Sequence, residues 1–438
     1  MTAVPDYYYN DDPKSFGYST ARSRWPKILT QAIADAESVV GAPVRAAYIA
    51  GLESILDQIN ADATVAPFTD ADVAANPSLA TYNHSLASLN RQRQLTWQTG
   101  PWLYLECHLY AMIEALNLRL HANVDIFSRL KDSTFRQSAA GVAELAKHVN
   151  HLDTAPLDDD ALALVFREFI DISLWGNATD LSLLAGGTTI DEIKSLQGKQ
   201  VRKQNEQNIL VNDIDAVWRQ VRSKPPGRID IVLDNSGFEL LADLCLSVCL
   251  LSTNIATEVH LHCKEIPWFV SDTMPKDVDS LLHQLGDADF FPPDPELTTL
   301  QHTLRQYLDR GQLKVDHHPF WTLDLSFWHL PEANDLYEDL LESNLIIFKG
   351  DLNYRKLTGD RHWDPTTPFT TAIQQLASSK LPVVALRTCK ADVVVGLAPG
   401  QWQEIANKYT AMGHDGHFWV ASGKWAVIEF SPGDANKV

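Results

Sequence analysis

The stretch KGDLNYRKL (349–357) places a carboxylate, Asp351, directly behind the apolar run LIIF (345–348). A buried strand that ends on hydrogen-bonding and cationic groups is where open α/β sheets bind ligands. Asp351 can bind a metal or position a water, and Arg355 can pair with phosphate oxygens. The plainer alternative makes Arg355 and Lys356 surface charges at the start of a helix. Three further segments carry groups of the same kind.

In IVLDNSGFE (231–239) a strand ends at Asp234-Asn235, Ser236-Gly237 turns the chain, and a helix begins near Phe238. Asp234 and Asn235 offer side-chain oxygens, and the new helix presents free N–H groups to an anion. Glu239 falls in the first helical turn, where it can orient a water or a ligand. An Asx-turn with helix capping explains this motif alone equally well. In FVSDTMPKD (269–277) a second strand is expected to end on Asp272, 38 residues after Asp234. That interval suits one strand–helix–strand unit and would put both carboxylates on adjacent strand ends; the alternative is a helix cap at Asp272. Asp234, Asn235 and Asp272 together make an all-oxygen set suited to a hard divalent ion such as Mg²⁺ or Mn²⁺. Finally, PVVAL (382–386) leads into Arg387, Thr388 and Lys390. Lys390 can neutralise a phosphate as a compact charge while Thr388 adds a hydroxyl, and a structural Arg–carboxylate pair suits Arg387 better.

The elements needed to hold these groups can be read from the apolar periodicity. Helical spacing runs through 23–40, 44–59, 102–120, 125–149 and 161–177, with separators rich in Pro, Gly, Asp and Asn. After KPPG (224–227) the pattern alternates: strands are expected at 228–235, 259–270 and in LKVDHH, LIIFKG, LPVVALRT and WAVIEFS, with a helix at 237–251. Alternating strands and helices imply a mostly parallel sheet covered on both faces. The expectation is an α/β protein: a helical domain over 1–200, then a Rossmann-like α/β/α catalytic domain over 201–438. The charged segment 193–208 is expected to be a connecting helix.

Composition bounds the function. With 438 residues, 12 Trp and a net charge of −20, the chain can build large aromatic cores, and its charge argues against nucleic acid or an anionic membrane as its main partner. Five scattered Cys form no disulfide framework and fit a reducing compartment, so a cytoplasmic location is expected, with the nucleus as the alternative. No secretory signal is visible, and the apolar run 240–255 reads as a buried helix too short to span a bilayer. His260-x-His262 lacks a matching Cys/His pair and reads as sheet histidines. His317-His318 and His414/His417 read as loop residues, and Cys245 and Cys249 as core. No P-loop signature is present. Oligomeric state is not legible.

DNSGFE (234–239), FVSD (269–272), KGDLNYRKL (349–357) and RTCK (387–390), in that order, resemble the damage-control phosphatases, in the subfamily marked by an RTxK motif. PWLYLECHLY (101–110) resembles that family's helical domain, although His108 and Ala111 stand where Tyr and Arg are expected. The resemblance implies a metal-dependent phosphatase acting on small phosphorylated metabolites, notably sugar phosphates such as fructose 1-phosphate or fructose 6-phosphate. It implies Asp234, Asn235 and Asp272 as metal ligands for Mn²⁺, Co²⁺, Ni²⁺ or Mg²⁺, with Asp234, Asp272, Asp351 and Lys390 catalytic. Substrate would be held by Asp234, Asn235, Glu239, Asp351, Leu352, Asn353, Tyr354, Arg355, Arg387, Thr388 and Lys390. Some members are also described as S-adenosylmethionine-dependent methyltransferases acting on protein carboxylates, which is the alternative; Glu239 and Asp272 would then meet the methyl donor. Cys389 falls at the variable position of RTxK and is not expected to be catalytic.

Overall fold

The structure, a computed structural model, describes residues 3–152, 157–176 and 206–434. Seven strands form one sheet: β1 (Ile209–Asn212), β2 (Gly227–Val232), β3 (Ala256–Cys263), β4 (Leu313–His317), β5 (Ser343–Lys349), β6 (Val383–Thr388) and β7 (Ala426–Ser431). Their spatial order is β1-β7-β6-β5-β2-β3-β4, and every neighbouring pair is parallel except β6–β7. From β2 the chain builds outward through β3 and β4; from β5 it builds the other way to β6. The direction reverses between β2 and β5, which opens a crevice at their C-terminal ends.

The expected mixed α/β architecture with a helical N-terminal region is observed. The centres of β5 and β6 are apolar because helices cover both faces, while β2 carries the buried Asp230 that pairs with Arg228 and His262. The Phe238–Ser252 helix is buried from Glu239 to Leu251, wedged between β3 and the Ala139–Asn150 and Asp159–Trp175 helices. Those two helices thus share the core of the sheet, with Phe166 and Phe169 packed among Leu240, Leu244 and Ile231. Earlier helices, among them Trp25–Val39, Ala42–Asn60 and Trp102–Leu120, form a second core around Trp25, Tyr48, Trp97 and Tyr110 that takes in Trp268 and Leu352. No helix among the described residues is long and apolar enough to cross a membrane.

Several expectations are corrected. The strand expected over 259–270 stops at Cys263; Pro267 has no N–H to donate, and Phe269 and Val270 adopt φ of 44° and 72°, which turn the chain back. The helix expected over 125–149 is two, Ser128–Gln137 and Ala139–Asn150, joined at Ser138. β1 was not expected at all. Most of the charged segment 193–208 lies outside the described residues. The sheet histidines pair with acids: His262 Nε2 lies 2.6 Å from Asp230, and His260 contacts Glu258 and Asp316. His108 sits buried among Phe68, Tyr82, Trp97 and Tyr104, and burial pushes its imidazole down to about 4.

A buried clamp joins the helical region to the sheet. Arg355 gives one nitrogen to Glu106 (2.9 Å) and two to Asp360 (3.1 and 2.9 Å), while its guanidinium lies 3.8 Å over Trp102. Glu106 also accepts from Trp25 Nε1 at 3.1 Å. Removing one partner of a buried ion pair leaves the rest as uncompensated charge, so Arg355→Ala should cost about 3–5 kcal/mol. Arg355→Lys, lacking the planar fork, should recover only part of it. Urea unfolding measures both; a loss under about 1 kcal/mol for Arg355→Ala would show that the clamp holds nothing.

Candidate active site

Asp234 leaves β2 and lies against the start of the Gly350–Thr358 helix that follows β5. The approach is possible because position 350 is glycine: a Cβ there would stand 1.9 Å from Asp234 Oδ2, and φ at Gly350 is +80°. Gly237, at φ +73°, turns the chain so that the Phe238–Ser252 helix starts beside it. Asp272 reaches Asp234 from a loop. Asn235 and Asp272 form an isolated antiparallel bridge, Thr273 N donates to Asp234 O at 2.8 Å, and Ser236 N to Ser271 O at 2.7 Å. The two carboxylates are therefore neighbours as expected, but a folded-back loop, not an adjacent strand end, brings Asp272 there. That loop carries the positive φ of Val270, a costly state for a β-branched residue.

The site floor is acidic and buried. Asn235 Nδ2 donates to Asp234 Oδ2 (2.9 Å) and Glu239 Oε2 (2.8 Å), and its oxygen accepts from Ser271. Lys264, fully buried, lies 3.0 Å from Asp272 Oδ2 and donates to Leu233 O. Lys349 lies 2.9 Å from Asp243 and 3.5 Å from Glu239. Burial raises the Asp234 carboxyl well above the usual range, and Glu239 and Asp272 raise it further. Asp272 is raised by burial too, against the pull of Lys264. When ionised, the carboxylates Asp234, Glu239, Asp243 and Asp272 form ion pairs with only two ammonium groups, Lys264 and Lys349, while Lys390 acts on Asp234 from farther off, so the four acids still outnumber the cations that face them. Lys131 and Lys276 do not change this, because they are balanced by Asp125 and Asp277.

A divalent cation fits that excess. Among the described residues no group of three or more His, Cys, Asp or Glu is arranged as a complete cage. Two carboxylates and an amide oxygen make a smaller set, which suits an ion that keeps waters and takes a substrate oxygen.

Above the floor the rim is basic. One cavity of about 360 Å³ is lined by Asn235, Gly237, Glu239, Val270, Arg24 and Lys131. Another of about 570 Å³ is lined by Arg24, Lys27, Trp102 and Lys390. Arg24 and Ile28 belong to both. Arg24 closes a π-helical turn, Thr20–Arg24, that precedes the Trp25–Val39 helix; such turns recur at functional sites.

The remaining singled-out residues divide sharply. Asp351 Oδ1 accepts from Arg387 Nε (2.8 Å) and from the backbone N–H of Lys390 (3.0 Å), which ties two strand ends together. The Lys390 side chain is exposed at the rim, whereas Thr388 and Arg387 are buried. Asn353 donates to the carbonyls of Val232, Leu233 and Lys349, Leu352 packs into the helical core, and Arg355 is spent in the clamp. Tyr354 donates to Glu429 at 2.6 Å, and Arg387 lies 4.2 Å over its ring. Cys389 is fully buried, and burial pushes its thiol up to about 11. Lys264, Lys349, Arg24 and Lys27 were not singled out as site residues; only Lys349 carried a signal, as the last residue of an apolar strand.

A family model described as the damage-control phosphatase ARMT1-like domain matches residues 20–405. This chain belongs to that family. As an ARMT1-like protein it is 34% identical to damage-control phosphatase ARMT1 of Bos taurus, covering 98% of this chain and 99% of the relative. It is 32% identical to the Homo sapiens relative of that name with the same coverage, and 34% to that of Xenopus tropicalis over 95% and 96%. A crystal structure of a DUF89 family protein from Pyrococcus horikoshii aligns at TM-score 0.37 and 15% identity, covering 75% of this chain and 86% of that one, too weakly to add to the fold.

In this ARMT1-like chain a buried acid of β7, Glu429, sits beside Tyr354. Glu429 Oε1 has no hydrogen-bond partner, and its carboxyl is pushed from 4.5 up to about 8, first by burial and then by Asp213, against Tyr354 and Arg387. The folded state thus holds a proton that the unfolded state releases. Stability from this group is complete below about pH 4.5 and is lost as pH rises through about 8. The slope is at most ~1.4 kcal/mol per pH unit. Glu429→Gln should flatten that part of the melting temperature–pH profile; an unchanged profile would mean that another group titrates.

Proposed function

We propose that this protein is a metal-dependent phosphomonoester phosphatase acting on small phosphorylated metabolites, with sugar phosphates such as fructose 1-phosphate or fructose 6-phosphate as its class of substrate. The observation that carries the reading is the pairing, at the crevice between β2 and β5, of a floor whose four carboxylates form ion pairs with only Lys264 and Lys349, and a rim of three cations, Arg24, Lys27 and Lys390. Membership of the damage-control phosphatases supports the reaction type. Asp234, Asn235 and Asp272 would hold the ion. When bound, it supplies positive charge to a phosphoryl oxygen and acidity to a water.

The chain's own residues do the positioning. Lys390, Arg24 and Lys27 offset charge on the transferring phosphoryl group, which is most of what this chemistry asks of a protein. Glu239, fixed by Asn235 and Lys349, accepts a proton from the attacking water. Asp351 acts mainly as a brace, since one of its oxygens is committed to Arg387 and to the Lys390 backbone. Lys264 holds the Asp272 carboxylate in place. Five buried free thiols fit a reducing, cytoplasmic or nuclear setting.

Phosphate release from a sugar-phosphate panel, with chelator-stripped protein and Mn²⁺, Co²⁺, Ni²⁺ or Mg²⁺ restored, tests the reading. Activity should require the ion and should fall at least roughly 100-fold in Asp234→Ala and Asp272→Ala. Full activity in both variants, or none with any ion, sinks it. Gly350→Ala should also lose roughly 100-fold, because its Cβ displaces Asp234. A Gly350→Ala enzyme with normal kcat and metal affinity would mean that the close approach is not needed.

A further inference from the structure

A cavity of about 790 Å³ lies between the N-terminal segment and the region after β6, and none of the chemistry above uses it. It is the size of a small-molecule pocket. Its walls are aromatic: Phe16 stacks with His417 (centroids 6.0 Å, 19°), Trp402 lies 5.5 Å from His417, and Phe418 stands 45% exposed. The far end is closed by His362, whose ring lies 3.8 Å from that of Tyr8.

The polar groups are few and placed. Asp392, 1% exposed, fixes the floor: it accepts from Ser15 Oγ (3.1 Å), Phe16 N (3.0 Å) and His417 Nε2 (2.8 Å). Asp12 and Asp415 each spend one oxygen on a nearby backbone N–H, of Lys14 and His417 respectively. Their second oxygens have no partner among the described residues. Three aspartates and one lysine line this cavity, the reverse of the Arg24–Lys27–Lys390 rim. A phosphorylated ligand is therefore disfavoured here. Phe16, Ser19 and Phe418 line both this cavity and the one holding Lys390, so the two stand back to back.

We infer that this cavity is a second ligand site, for an uncharged or cationic planar heteroaromatic ring bearing N–H donors. The ring stacks against Trp402, Phe16 and Phe418, an arrangement that aromatic and cationic rings both favour. Its N–H groups donate to the free oxygens of Asp12 and Asp415.

Adenine, as a neutral probe, and 4-aminopyridine, cationic at neutral pH, test the site by calorimetry and ligand-observed NMR on the full chain. At least one should bind with a dissociation constant at or below about 1 mM. Binding should weaken at least roughly tenfold in Trp402→Ala, in Phe418→Ala and in Asp415→Asn, the last two at exposed positions that do not threaten folding. It should be unchanged in Asp234→Ala, and adenosine monophosphate should bind more weakly than adenine. No binding by either probe, full binding in both Phe418→Ala and Asp415→Asn, or displacement by inorganic phosphate would overturn the proposal. The readout is binding alone, so it stands or falls separately from the phosphatase reading.

Discussion

The structure is organised around burying more negative charge than it neutralises. Four carboxylates with only two ion-paired ammonium groups, buried under a helical layer, would be a poor design for stability alone, since isolated buried charge costs several kcal/mol. The arrangement persists because the surroundings over-determine it: Asn235 bridges two acids, Lys264 and Lys349 each hold one or two, and Gly350 leaves room for Asp234. The raised proton affinity of Asp234 and Asp272 measures the debt that a cation would relieve.

Everything larger serves that floor. The order in which strands are added reverses between the parallel strands β2 and β5, so two strand ends and two helix starts meet at one crevice. The helical region contributes Arg24 and Lys27 to the rim, and the Arg355 clamp keeps the two halves in register. Arg387 works at the same distance from the chemistry. By gripping Asp351 it braces the loop that presents Lys390, and its own charge is shielded by Tyr354 and backbone carbonyls.

Much of this was legible in the residues, and what was not has a physical cause. Apolar runs ending in acids located β2 and β5, and 3.6-residue periodicity located the long helices. Periodicity could not show that the strand over 259–270 stops at Cys263, because apolar Trp268, Phe269 and Val270 continue the pattern while their backbone reverses. The identity of the charged residues at a strand end could not say which face the site and which face the core. Arg355 and Asn353 look like ligand-binding groups in sequence, yet their partners, Glu106, Asp360 and the β2 carbonyls, are set by tertiary contacts. Lys264 and Arg24 carried no local signal. The first sits in a loop and the second in an irregular helical turn, and only the fold gives them neighbours.

The N-terminal segment has a consequence for how the molecule is made. Tyr7 bridges to Arg361, and Ser15 and Phe16 bond to Asp392. Glu106 finds Arg355 across 249 positions. Synthesis delivers these partners in order, so at typical rates the early segment waits roughly 20–80 s for residue 392 to emerge. Tyr8, which packs on His362, and the face of Trp102 that receives Arg355 are uncovered during that time. Completion of the helical half is thus timed by the last third of the chain.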